Sequence, residues 1–209
     1  MIYFVRHGQS TANAGGVTMA HAEIPLSELG RRQARMIATL LDVQPLLLLS
    51  STYVRAAETA RPFSEKTGCP ITLHPLLHEF SALDARLIEG MVTAQRRPIA
   101  DSFWDQADPD LRHGPESESF REFSARVEGF VDEMLHLPQD TVLFGHGIWF
   151  ALLCWKLWRF NSDDATGMRE FRRFQKALSM PNCAVYGLQP GAKGQWRLQA
   201  NRCSENFRH

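Results

Sequence analysis

Met1-Ile2-Tyr3-Phe4-Val5-Arg6-His7-Gly8-Gln9-Ser10-Thr11-Ala12-Asn13 opens the chain. Ile2 to Val5 is a run of strand-forming residues that stops abruptly at Arg6-His7-Gly8, ahead of a small polar loop. Packing alone gives a buried strand little reason to deliver a His beside an Arg into a glycine loop. The pattern suits a nucleophilic imidazole held against an anion.

Two later segments end in the same way. Leu46-Leu47-Leu48-Leu49 reads as a strand ending at Ser50-Ser51, with Arg55 in the first turn of the helix that follows. Thr141-Val142-Leu143-Phe144 reads as another, ending in Gly145-His146-Gly147. Continuous rather than alternating hydrophobicity implies strands covered on both faces, as in a parallel sheet. Sites in such sheets lie beyond the carboxyl ends of the strands, so Arg6, His7, Arg55 and His146 are expected to converge. Two Arg and two His make a pocket for a dianionic tetrahedral group, most simply a phosphoryl group, because the Arg forks match its oxygens. Glycines on both sides of His146 permit close approach of a ligand, and a helix starting near Gly147 adds backbone donors.

The intervening segments read as helices. Ser27 is an N-cap for a helix whose apolar face is Leu29, Ala34, Ile37, Ala38 and Leu41. Tyr53 to Thr67 is a second helix, weakened at Pro62 and stopped by Gly68. Pro70 to Leu73 is a short strand, and His74 to Pro115 is irregular or hides short helices. Glu116 to Leu137 returns to helical order, and Ile148 to Phe160 is a helix apolar nearly all round. Ala184–Leu188 and Trp196–Gln199 flank a turn around Pro190–Gly194 as an edge hairpin. Alternating strand and helix predict an α/β fold: a three-layer sandwich with a mainly parallel central sheet flanked by helices, an irregular or helical cap insertion over 80–115, and a C-terminal β-hairpin. At 209 residues, a single domain over 1–209 is expected.

Composition narrows the partners. Lys+Arg and Asp+Glu are equal at 23 each, so no global field attracts nucleic acid or an acidic membrane. Val142 to Trp158 is the longest apolar tract, but Gly145-His146-Gly147 and Lys156 interrupt it, which fits a strand and helix better than a membrane span. The chain enters a strand at Ile2, leaving no room for a cleavable leader. Cys69, Cys154, Cys183 and Cys203 lack metal-type pairing, and a reduced, cytoplasmic setting is expected.

In family order, Val5–Asn13, Pro25–Ala34, Ser50–Ala60, Glu118-Ser119-Phe120 with Arg126, Phe144–Gly147 and Pro181-Asn182-Cys183 resemble the histidine phosphatase superfamily, the phosphoglycerate mutase-like proteins. The resemblance implies that His7 attacks phosphorus and becomes a phosphohistidine. It also implies that Arg6, Arg55 and His146 clamp the phosphoryl oxygens, and that Asn13 and Gly147 join them in binding. No metal or other cofactor is implied. An acid after the third strand serves as proton donor, and Glu79 in Leu77-His78-Glu79-Phe80 is the best match, with Asp84 and Glu89 as alternatives.

Relatives that act as mutases follow this acid with Arg and then Tyr-Gly, whereas here Phe80 follows Glu79. The reading is therefore a phosphomonoesterase for a small phosphorylated metabolite, with the 80–115 insertion selecting it through Phe103, Trp104, Arg86, Arg96 and Arg97. Mutase-type phosphoryl transfer and a non-catalytic phosphate-binding module are the alternatives. His74, His78, Glu79 and Asp84 cluster in sequence as a metal site would, but Pro75 opposes the helix that His74 and His78 would need. The apolar helix after His146 and the edge hairpin could serve a homodimer.

Overall fold

The computed structural model describes residues 1–192 and 195–200. In chain order the elements are β1 (Ile2–Arg6), α1 (Glu28–Leu40), β2 (Leu47–Ser51), α2 (Val54–Thr67), β3 (Ile71–His74), a 3-10 turn (Pro75–Leu77), α3 (Thr93–Gln106), α4 (Phe120–Met134), β4 (Thr141–Gly145), α5 (Gly147–Leu157), α6 (Ala165–Ala177), β5 (Val185–Pro190) and β6 (Trp196–Ala200). The sheet has the order β3-β2-β4-β1-β5-β6. Its first four strands are parallel, while β5 runs antiparallel to β1 and β6 antiparallel to β5.

Register decides where the site lies. Arg6 stands opposite Gly145, and Ser50 opposite Phe144, so the carboxyl ends of β1, β2 and β4 are level. The two-residue period of the strands divides their side chains between two layers. Val5, Leu48, Val142 and Phe144 pack with Ile37, Ala38, Ala60 and Phe63 of α1 and α2. Phe4, Leu49 and Leu143 pack on the opposite face with residues of α4, α5 and α6, including Phe130, Trp149, Phe150 and Phe171. Each fully buried side chain of this size stabilises the fold by about 1.5–3 kcal/mol.

Ser27 caps α1 as expected, accepting from the Gly30 amide at 3.0 Å. Leu29, however, is 39% exposed, and the buried face is Gly30, Gln33, Ala34, Ile37 and Ala38. The reason is a backbone contact: a Cβ on Gly30 would lie 2.0 Å from the Gln9 carbonyl oxygen. The first turn of α1 thus lies directly on the loop after β1, with no side chain between them.

Pro62 neither splits nor ends α2, which is continuous from Val54 to Thr67. Packing of Ala60 and Phe63 against the sheet and α1 outweighs the missing intrahelical bond. Within the stretch read as irregular, α3 is a 14-residue helix, with Pro98 inside it. Phe103 and Trp104 belong to the core beside Phe80 and Phe120, not to a substrate mouth. The helix read as starting at Glu116 starts at Phe120, because Ser119 and Glu122 form a capping box there. Residues 161–183, given no element from the sequence, contain α6, capped by Asp164 through the Gly167 amide at 2.8 Å.

The hairpin of β5 and β6 is at the sheet edge as expected, with β5 running on to Pro190. Part of its turn lies outside the described residues, as does Cys203. Cys69, Cys154 and Cys183 are free thiols. Among the described residues no helix is long and apolar enough to cross a membrane.

Candidate active site

His7 sits one residue beyond β1 and is 4% exposed. Its amide donates to the Gly145 carbonyl at 3.0 Å, and its own carbonyl accepts from the Cys183 amide and the Asn182 Nδ2. Backbone ties to both neighbouring segments therefore fix the ring's base. Cys183 adopts a left-handed φ of 60° to make its contact, an uncommon conformation for a side chain other than glycine.

The ring's neighbours dictate its tautomer. Nδ1 is 2.7 Å from the Gly8 carbonyl oxygen, which can only accept, so Nδ1 carries the proton. Nε2 is 3.3 Å from Arg55 Nε, which can only donate, so Nε2 carries the lone pair. Burial first, then the Arg55 and Arg6 charges, hold the imidazole well below its usual 6.5. His7 is therefore a neutral imidazole with its lone pair turned toward a guanidinium.

Arg55 lies in the first turn of α2 and is 7% exposed. Nη1 donates to the His21 carbonyl at 2.6 Å, and the guanidinium lies over the Tyr53 ring at 4.9 Å. The half-buried Arg6 donates through Nη1 to the Met180 carbonyl, while its Nε is buried without a hydrogen-bond partner. Gly147 borders it: a Cβ there would lie 3.5 Å from that Nε, an ordinary contact.

His146 is fully buried one residue beyond β4, with its ring centroid 5.2 Å from that of His7. Its Nε2 is 2.8 Å from Ser51 Oγ, and its buried Nδ1 has no partner. Burial, then Arg55, then His7 and Arg6 lower its pKa well below 6.5. Two unpartnered polar atoms, Arg6 Nε and His146 Nδ1, thus lie in a site with both arginines, an arrangement that an anion would complete.

Glu79 is half-buried, and its carboxylate sits on the N-terminus of α5. It accepts from the amides of Ile148 at 3.1 Å, Trp149 at 2.9 Å and Phe80 at 3.0 Å. Anions are favoured at that helix end. Its negative charge acts on both Arg6 and Arg55. The two alternatives lie elsewhere. Asp84 is buried in a turn, where the Glu116 and Arg86 amides donate to it, and Glu89 is exposed.

Asn13 is exposed, and its Oδ1 accepts from the Ser10 amide and the Asn182 Nδ2, each at 3.3 Å. The residues that had suggested a metal cluster face different partners. His74 Nε2 meets Glu133 at 2.9 Å and His78 Nδ1 the Pro75 carbonyl at 2.6 Å, while Glu79 and Asp84 are held as above. Ser51, Tyr53, His21 and Asn182 also reach the site, and none had been assigned a role there. For Ser51 and Tyr53 the available signal was position, at the end of β2 and two residues before Arg55; His21 and Asn182, in loops, carried no such mark.

Arg86 pairs with Glu116 at 3.2 Å and Arg97 with Asp101 at 3.8 Å. Arg96 differs: its Nε is buried without a partner, and its charge acts on His21.

Comparison with known proteins agrees with this geometry. Residues 2–202 match the family model described as histidine phosphatase superfamily, branch 1. A protein of Enterobacter sp. (strain 638) named "Probable phosphoglycerate mutase GpmB" is 30% identical over 161 residues, covering 73% of this chain and 71% of that protein. A mycobacterial glucosyl-3-phosphoglycerate phosphatase, solved with VO3, is 30% identical, with a TM-score of 0.74 and coverage of 95% of this chain and 96% of that one. The alpha-ribazole phosphatase of Shigella flexneri is 26% identical, with a TM-score of 0.74 and coverage of 95% and 94%. Matched by that family model along almost its whole length, the chain belongs to the histidine phosphatase superfamily.

Proposed function

We propose that this protein is a phosphomonoesterase that acts on a small organic phosphate through a phosphohistidine at His7. The observation that carries the proposal is the His7 ring, with Nδ1–H on the Gly8 carbonyl and the Nε2 lone pair turned out to the Arg55 guanidinium, where an anion would sit.

The reaction follows from that geometry. Nε2 attacks phosphorus as the P–O bond to the alcohol breaks, and Glu79 in its acid form gives the leaving oxygen a proton. Nδ1 keeps its proton, so the phosphorylated ring becomes cationic against the Gly8 carbonyl. Arg6, Arg55, His146 Nδ1 and the Asn13 amide take the phosphoryl oxygens, supported by the first turn of α5 at Gly147. In the second half Glu79 accepts a proton from water, which attacks phosphorus. The N–P bond breaks, and its electron pair returns to Nε2. The ledger closes on alcohol and inorganic phosphate, with no redox step and no metal.

The segment 80–115 supports selection of the substrate. Thr18 donates to the Met91 carbonyl and accepts from the Gly90 amide, and Thr93 Oγ1 is 3.5 Å from the Ala12 carbonyl, so the segment is tied to the loop that carries Asn13. The mutase reading has support from the Enterobacter relative. Against it, Phe80, the residue after the acid, stacks on Phe123 at 4.5 Å and offers no polar group to a substrate.

The test is release of inorganic phosphate from p-nitrophenyl phosphate with EDTA present. Wild type should turn over and form an acid-labile, base-stable phosphoenzyme, while His7→Ala should do neither. Equal turnover by His7→Ala would sink the proposal. Phosphate transfer between phosphoglycerates without net hydrolysis would replace it with the mutase reading.

A further inference from the structure

The sheet does little to place Glu79. The edge strand β3 ends at His74, and its last partner in the ladder is Ser51. Between His74 and Glu79 the chain makes only a three-residue 3-10 turn. Something other than the sheet must hold the backbone that aims this carboxylate.

The geometry points to Arg126 of α4 as a positioning residue for Glu79. Its Nη1 donates to two carbonyls on the approach to Glu79, those of Leu76 at 2.9 Å and His78 at 2.8 Å. Its other edge is a fork on Glu118, with Nε to Oε1 and Nη2 to Oε2, both at 2.8 Å. Its side chain is 10% exposed and that of Glu118 15%, so the pair is shielded from solvent.

Glu118 completes the clamp from the far side, because its amide donates to the Ser81 carbonyl at 2.9 Å. The backbone is thereby gripped immediately before Glu79 and two residues after it. Trp149 joins the grip to the helix that receives the carboxylate. Its indole N–H donates to the Leu76 carbonyl at 2.7 Å, and its amide donates to Glu79 at 2.9 Å.

Four donated hydrogen bonds from one planar group explain why this must be Arg. A Lys ammonium has three donors on a point charge and cannot span a carboxylate and two carbonyls with the same fixed spacing. Loosening the grip shifts a proton donor rather than a phosphate ligand, and displacements of about 1 Å at a reacting group cost on the order of 100-fold in rate.

This inference rests on the proposed phosphatase reaction, and the two can fail separately. The test compares kcat/KM for phenyl phosphate, whose leaving group needs a proton, with that for 2,4-dinitrophenyl phosphate, whose leaving group does not. Arg126→Lys should lower the phenyl phosphate value by about 10–100-fold and the dinitrophenyl value by less than about 3-fold, as loss of general-acid catalysis requires. Glu79→Gln should give the same skew more strongly.

With dinitrophenyl phosphate, Arg126→Lys should also show a burst of one dinitrophenolate per enzyme, since its phosphohistidine awaits the same carboxylate. Glu118→Gln loosens the same clamp from its other end and should reproduce the skew if Arg126→Lys does not fold. Equal losses on both esters would make the pair a merely structural one and overturn the inference, as would no loss on either. Failure of the wild type to form a phosphoenzyme would instead overturn the reaction itself.

Discussion

His7 has an acceptor-only group on one ring nitrogen and a donor-only group on the other, and its protonation follows from that pair. Burial and the Arg55 and Arg6 charges act in the same direction, against the imidazolium. In the proposed reaction the neutral ring is the nucleophile, so the acid limb of kcat/KM should lie below pH 6.5, the ordinary value of the group. Arg55→Gln removes the charge with the larger effect on His7, so the limb should move to higher pH. The plateau should fall about 100-fold, the loss typical of removing one donor to a developing anion. A limb that stays in place would show that Arg55 binds phosphate without setting the ionisation of His7. The same scale separates the three candidate acids. Glu79, Asp84 and Glu89 are equivalent as residue types, but only the carboxylate of Glu79 rests on α5 beside the two arginines.

At the scale of elements, the contact between α1 and the loop after β1 couples stability to activity. A Cβ on Gly30 would collide with the Gln9 carbonyl, and a Cβ on Gly8, next to His7, would lie 2.7 Å from the Gly30 carbonyl oxygen. Gly30→Ala should destabilise the protein by about 1–3 kcal/mol in urea unfolding, as overpacking does. It should also lower kcat/KM by displacing the backbone that holds His7. Gly129, inside α4, is the control: its nearest neighbour to an added Cβ is Leu76 Cδ1 at 3.8 Å, an ordinary contact. Gly129→Ala should stabilise by about 0.5–1 kcal/mol through helix propensity. If both substitutions destabilised alike, close backbone packing would not be the constraint at Gly30. The elements also show how local signals are overruled. Pro62 argued for a break in α2, and the packing of Phe63 and Ala60 carried the helix through it.

The whole molecule keeps two neutral histidines buried at one site, and that links its stability to pH. His7 and His146 both have pKa values lowered in the folded state, so the unfolded chain binds these protons more readily. Stability is therefore fully present above pH 6.5 and is lost as pH falls below it, by up to roughly 1.4 kcal/mol per pH unit for each group. Thermal unfolding should shift to lower temperature across that range, and His7→Gln should make the shift shallower. An unchanged slope would mean that His7 contributes nothing to the acid sensitivity.

By itself the sequence determined the strand-and-helix alternation and the three polar strand ends, because periodicity and abrupt changes of residue type are local properties. Arg6, His7, Arg55 and His146 were legible for that reason. It did not reveal α6, whose segment lacks an adjoining strand end to mark it, nor did it decide among the carboxylates. Those choices belonged to the tertiary structure: Arg55 reaches His7 across 48 residues, and Trp149 reaches Glu79 across 70. Sheet register and helix docking set such contacts, and a carboxylate becomes a proton donor only where the folded backbone holds it against the reacting group.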